Sequence, residues 1–83
     1  MPKKKNEDLL KRISVNPKVM VGKPTIRGLR ITVEQILKAL AGGVTVKDLL
    51  EDYPELERED IQAVLLYAAG LAHEERVYAV SVG

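Results

Sequence analysis

The most informative stretch of the chain is Gly22-Lys-Pro-Thr-Ile-Arg-Gly-Leu-Arg-Ile-Thr32. It predicts a tight basic hairpin that leads directly into an amphipathic helix. Two glycines, one proline and three cationic side chains lie between short β-branched stretches. Arg27-Gly28 is a two-residue link of the kind that joins hairpin strands, and it predicts Gly28 at positive φ. Pro24 has no backbone N–H to donate, which confines its strand to a sheet edge or to a strand start.

Upstream of this segment the chain predicts a β-arm over residues 13–31, within a single small domain of residues 9–83. Residues 1–8 are polar and predict a disordered basic tail. Ile13-Ser-Val15 is a strand candidate, and Asn16-Pro17 ends it with a turn signal. Strands this short are unstable alone, so the arm must pack on helices, on a second subunit, or on both.

Downstream, the apolar period becomes helical and predicts three helices within residues 32–78. Thr32 with Gln35 matches a capping box at the first helix, which Gly42-Gly43 ends. Thr45 caps the second helix, and Pro54 stops it. The fold class is therefore mainly α: a short N-terminal β-arm or hairpin followed by a three-helix, homeodomain-like helix-turn-helix.

The third helix starts near Glu57 and carries more apolar surface than one core needs. Its predicted buried stripe is Ile61, Val64, Leu65, Ala68, Leu71 and Ala72. Leu66, Tyr67 and Ala69 fall off that stripe, and such a surplus indicates a partner helix and hence a homodimer. The tail alternates like a strand through Tyr78, Val80 and Val82 and could add to a partner's sheet edge, although a frayed end fits equally well.

Charge divides the chain into two opposite parts. Residues 1–30 hold nine cations and two acids, for a net charge of +7, whereas residues 31–83 hold four cations and ten acids, for −6. Such asymmetry indicates a basic arm for a polyanion, or two complementary surfaces that meet between subunits. The simpler alternative is a solubilising lysine tail with ordinary solvated helix faces.

The composition argues against an enzyme, a cofactor site, a metal site and a small-molecule substrate. His73 is the only histidine and there is no cysteine, so two-histidine and thiolate metal sites are excluded. Gly22-Lys-Pro-Thr25 resembles the end of a phosphate-binding P-loop, but Pro24 removes a needed N–H donor. No apolar run reaches the ~18 residues of a membrane span, and we expect a cytoplasmic protein.

Several motif blocks resemble, in the same order, the family known as domain of unknown function 433. They are Ile13-x-x-Asn-Pro17, Gly22-Lys-Pro-x-Ile-x-Gly28, Arg30-Ile-x-Val33, Leu49-Leu-x-Asp-Tyr-Pro-x-Leu56 and Glu59-Asp-Ile-x-Ala63. The resemblance spans roughly Arg12 to Ala72. It implies a DNA-binding helix-turn-helix fold similar to that of VapB-type antitoxins, which act beside a PIN-like nuclease toxin.

The resemblance leads to a hypothesis of an antitoxin that binds this kind of toxin and its own operator DNA. Lys23, Arg27 and Arg30 would contact phosphates or enter a minor groove, as homeodomain arms do. Arg58 and Gln62 would read bases from the third helix. Leu66 and Tyr67, with the tail, would bind the partner protein.

The acids Glu57, Glu59 and Asp60 at the start of the third helix oppose a phosphate-lined groove. The alternative is therefore a protein-interaction or structural module without nucleic-acid binding.

Overall fold

The computed structural model describes residues 3–74. Its elements in chain order are α1 (Lys3–Leu10), β1 (Ile13–Ser14), a single 3₁₀ turn (Met20–Gly22), β2 (Thr25–Ile26), α2 (Val33–Ala41), α3 (Val46–Asp52) and α4 (Arg58–Glu74). The predicted fold class, mainly α with a short N-terminal β-arm, is confirmed. Within the described residues, no helix combines the length and the apolar character that crossing a bilayer requires.

The β-arm is a two-stranded antiparallel sheet in which Ile13 lies opposite Ile26. The predicted turn follows β2: Arg27 and Gly28 have φ values of 47° and 73°, and the Leu29 N–H donates to the Ile26 carbonyl at 2.8 Å. We predicted that residues 29–31 would form the second strand of this hairpin, but they do not form a strand. The Ile26 N–H still donates to the Ile31 carbonyl at 3.1 Å, and Thr32 forms one bridge with Thr25. The ladder goes no further because α2 begins at Val33.

The helix boundaries follow local side-chain chemistry. The Thr32 and Gln35 side chains each accept from the other residue's backbone N–H, at 3.0 and 2.8 Å, so the predicted capping box is confirmed. Thr45 accepts from the Asp48 N–H at 3.1 Å at the start of α3. After α2, Gly43 adopts a φ of 97°, which a side chain would resist.

Helix α4 packs against α1, α2, α3 and β1 and so organises the domain. The core consists of the buried residues Ile26, Ile31, Val33, Ile36, Leu49, Leu56, Ile61 and Val64. The predicted stripe of α4 was wrong in part: Leu65 is 50% exposed and Leu71 is 45% exposed, whereas Tyr67 packs on the core. The buried arc runs from Val64 toward Tyr67, three residues on, and Leu65 lies outside it.

The N-terminal segment also differs from its prediction, because residues 3–10 form α1 where we predicted disorder to residue 8. This helix packs along α4. Leu10 lies beside Gly70 and Leu71 in a shallow groove between the two helices. Contact with the apolar surplus of α4 accounts for a helix that its polar sequence does not predict, because most helical stability in proteins comes from packing.

Candidate nucleic-acid interface

A buried carboxylate stands at the start of α4. The Asp60 side chain is 0% exposed, and one of its oxygens accepts from the Glu57 backbone N–H at 2.8 Å. The residue therefore caps the helix from its third position, where a carboxylate also meets the positive end of the helix dipole. A buried charge of this kind requires further partners.

Two arginines supply those partners. Arg27 donates to both carboxylate oxygens of Asp60, at 3.0 and 2.8 Å, and to the Glu55 carbonyl at 2.6 Å. Arg12 donates to Asp60 at 3.0 Å and to Glu57 at 2.7 Å. The β-arm is thus tied to the start of α4 by charge-assisted hydrogen bonds.

These contacts set the protonation of the group. Burial on its own raises the pKa of Asp60, but hydrogen bonds from Arg27 and the Glu57 N–H, together with that from Arg12, leave the pKa below its ordinary value. The Glu57 and Asp60 hydrogen bonds raise the pKa of Arg12. Asp60 and the two arginines are therefore charged near neutral pH.

The same contacts change the electrostatics that α4 offers to a partner. Glu57 and Asp60 are paired with Arg12 and Arg27, so two of the three acids of the first turn are compensated within the protein. Glu59 is the one of these three acids that has no ion-pair partner within residues 3–74. It is exposed, as are its neighbour Arg58 and, one turn later, Gln62. Arg27, which we predicted to contact DNA, makes these internal hydrogen bonds while 36% of its side chain remains exposed.

The other predicted cations of the β-arm, Lys23 and Arg30, border two adjoining clefts, whereas Arg58 lies on α4 and lines neither. One cleft, of about 490 Å³, is lined by Pro17, Lys18, Met20, Val21, Lys23 and Arg30. Within residues 3–74, neither Lys18 nor Arg30 has an ion-pair partner. The second cleft, of about 240 Å³, shares Met20 and Lys23 and extends to Lys38 on α2.

Glu34 moderates the charge of the second cleft. Its carboxylate accepts hydrogen bonds from the ammonium groups of Lys38, at 3.0 Å, and Lys23, at 3.1 Å. These two hydrogen bonds lower the pKa of Glu34. Exposed pairs of this kind contribute little to stability and exchange readily for another anion. Lys23 can therefore turn toward a phosphate at small cost.

A left-handed turn separates the two clefts and was not predicted. Met20, Val21 and Gly22 have φ values of 50°, 57° and 78°. The Gly22 and Lys23 N–H groups donate to Val19 and Met20 carbonyls, both at 3.1 Å. Gly22 was the only sequence signal for this turn, because a β-branched residue such as Val21 rarely adopts positive φ.

The predicted partner-binding residues are only partly described. Leu66 and Tyr67 are half-buried and line the groove between α1 and α4 together with Leu10. The large apolar side chains of α4 that are exposed are Leu65 and Leu71. Tyr78, Val80 and Val82 lie outside the described residues.

No grouping of three or more histidine, cysteine, aspartate or glutamate residues within residues 3–74 could hold a metal ion. In the same part of the chain, every buried side-chain nitrogen or oxygen has a hydrogen-bond partner. The described interior therefore contains no unpaired polar group aimed at a ligand, and the features available for binding lie on the surface.

The chain resembles two known proteins. It is 32% identical over 56 residues to the uncharacterized protein y4eO of Sinorhizobium fredii (strain NBRC 101917 / NGR234), a match that covers 68% of this chain and 25% of that protein. This chain thus spans about a quarter of the length of that relative. The crystal structure of a DUF433 member protein from Anabaena variabilis ATCC 29413 superimposes with a TM-score of 0.69 at 28% identity, covering 84% of this chain and 76% of that one.

The family model described as "Protein of unknown function (DUF433)" matches residues 13–68. That range begins at β1, includes the β-arm and the two clefts, and ends within α4. It contains both Arg27 and Asp60. The chain belongs to the DUF433 family.

Proposed function

We propose that this protein is a DNA-binding antitoxin of a type II toxin–antitoxin pair, which binds its own operator and a PIN-like nuclease toxin. The observation that carries the DNA half is the cleft in which Lys18, Lys23 and Arg30 converge. Phosphate contacts made by lysine and arginine dominate the affinity of proteins for DNA. Lys23 and Arg30 keep the role that the sequence predicted for them, and Lys18 joins them.

The internal pairing of Glu57 and Asp60 supports the same proposal. An acidic first turn would repel the phosphates on either side of a groove, but these two charges are already compensated by arginines. Arg58 and Gln62 remain exposed on α4, and their side chains are suited to guanine and adenine edges. The repulsion between the start of α4 and DNA phosphates is thereby reduced.

The exposed apolar surface of α4 supports the toxin half. Leu65 and Leu71 lie outside the core, and the groove beside Leu10 and Tyr67 continues that surface. Apolar groups on a helix that already packs against four other elements suit a protein partner. The same surface supports a homodimer, in which a second copy would cover it.

The test measures binding to the duplex DNA upstream of the gene, by fluorescence anisotropy at several salt concentrations. The wild-type protein should bind with an affinity that falls steeply as salt rises. The Lys23→Ala, Arg30→Ala double variant should flatten the slope of log affinity against log salt by about 0.9 for each lost phosphate contact. Lys47→Ala is the control, because it removes an exposed cation of α3 that lines neither cleft. It should change the slope less than the double variant does.

The toxin half is tested by co-expression with the product of the neighbouring gene. We expect the two proteins to co-purify, and Leu65→Glu with Leu71→Glu to abolish the complex while the Lys23→Ala, Arg30→Ala variant preserves it. Absence of salt-dependent DNA binding by the wild-type protein would refute the operator half.

A second candidate function, a protein-interaction module without nucleic-acid binding, is favoured by one observation. Arg27 donates to Asp60 and to the Glu55 carbonyl, so its guanidinium is less available to a nucleic acid than an unpaired cation would be. Retained binding of the neighbouring protein, together with no DNA binding, would select this candidate.

A further inference from the structure

The left-handed turn at Met20–Gly22 combines backbone strain with exposure. Val21 has a φ of 57° and a ψ of 35°, a region that branched side chains disfavour. Its side chain is 92% exposed, so burial inside this domain does not offset the strain. Residues held in such conformations cluster at binding sites.

The neighbours of the turn are cationic. Lys18, Lys23 and Arg30 line the same cleft as Val21. Lys38 lies in the adjoining cleft, where it and Lys23 share the carboxylate of Glu34, so the cations outnumber this one acid. The turn thus presents an apolar tip with positive charge around it. That combination matches a double-stranded nucleic acid, whose anionic phosphates border a groove with apolar sugar walls.

The size of the turn selects the groove. The minor groove of B-DNA is about 6 Å wide and excludes an α-helix, but a single projecting side chain can enter it. A narrow minor groove in A·T-rich DNA also concentrates negative potential and attracts lysine and arginine. Apolar side chains inserted from minor-groove proteins are a known mode of contact.

We propose that the turn Met20–Gly22 enters the minor groove of DNA, with Val21 against the groove walls and floor and Lys18, Lys23 and Arg30 on the flanking phosphates. The proposal rests on the DNA-binding function proposed above and specifies the element and the groove. The strained backbone holds the Val21 side chain outward, where it contributes to the complex instead of to the core.

The first test compares Val21→Asn with the wild-type protein. Asparagine tolerates the left-handed region, so the variant should melt at the same or a higher temperature, whereas a purely structural valine would lower it. Affinity for the upstream duplex should fall about tenfold, the loss expected when a valine side chain is no longer buried. Lys47→Ala is again the control, because Lys47 is exposed on α3 and lines neither cleft.

The second test identifies the groove. Inosine in place of guanine removes the amino group from the minor groove and leaves the major-groove edge unchanged, so the wild-type protein should bind the inosine-substituted upstream duplex more tightly than the natural one. Equal affinity for the two duplexes, or equal affinity of Val21→Asn and wild type, overturns this inference while DNA binding itself stands. A wild-type protein that binds neither duplex overturns both this inference and the proposed function.

Discussion

Arg27 and Asp60 form a two-bond ion pair, with Nε to Oδ1 at 3.0 Å and Nη2 to Oδ2 at 2.8 Å. The first residue lies in the tight turn of the β-arm and the second caps α4, 33 residues later. Because the carboxylate is fully buried, the pair fixes where the arm meets the helix. On the same arm, Lys18 and Lys23 precede Arg27 and Arg30 follows it. The pair therefore also positions the proposed DNA surface.

Removing the buried carboxylate should destabilise the domain strongly. Asp60→Ala takes away a helix cap and the charge-assisted hydrogen bonds to Arg12 and Arg27. Because those arginines are 28% and 36% exposed and can be solvated, we expect a loss of about 2–3 kcal/mol. Urea unfolding measures the loss. The exposed neighbour Glu59→Gln should stay within about 0.5 kcal/mol of wild type, and equal stabilities of the two variants would contradict the role of Asp60.

Stability should fall in acid because of the same group. The folded-state pKa of Asp60 lies below its unfolded value, so the stabilisation is present above about pH 4, the ordinary range of the carboxylate, and is lost as pH falls through the folded pKa. Unfolding free energies of wild type and Asp60→Asn, measured from neutral to acidic pH, should converge in acid. A gap that is constant across this range would count against the assignment.

The turn glycines should differ in their tolerance of side chains. Gly28 has a φ of 73° with open space around its missing Cβ, so Gly28→Val should cost more than about 1 kcal/mol through backbone strain alone. Gly43→Ala should cost less, because alanine tolerates positive φ better than valine does. Thermal melts measure both.

Gly70, inside α4, provides the matched control for these variants. Its missing Cβ also faces open space, but its backbone is helical, so Gly70→Ala should stabilise the protein by about 0.5–1 kcal/mol. Similar effects of all three substitutions would mean that backbone conformation does not govern these sites.

The exposed leucines of α4 should mediate self-association. We expect a homodimer by light scattering at micromolar concentration, because Leu65 and Leu71 leave apolar surface uncovered. Leu65→Glu should shift the protein to monomer while its circular dichroism and melting temperature remain close to wild type. Leu49→Glu would instead unfold the domain, since Leu49 is buried in the core, and a monomeric wild-type protein would refute the prediction.

Local chemistry made several features predictable from the amino-acid sequence. The Thr32–Gln35 capping box, the Thr45 cap and the Arg27-Gly28 turn each depend on residues within four positions of one another. The family blocks, for the same reason, could be read along the chain. The order of α2, α3 and α4 and the place of the β-arm in the chain followed from these short-range signals, whereas α1 and the pairing of β1 with β2 did not.

The tertiary structure alone decided which distant residues meet. Arg12 and Arg27 lie 48 and 33 positions from Asp60, and only folding brings both arginines to its carboxylate. Packing against α4 likewise ordered α1, and neighbouring backbone bonds held Val21 in a conformation that its own side chain disfavours. The caps, turns and helical periods could be predicted along the chain because they are short-range preferences. The ion cluster, the exposed face of α4 and the cation-lined clefts depend on long-range packing, so they are specified only once the chain is folded.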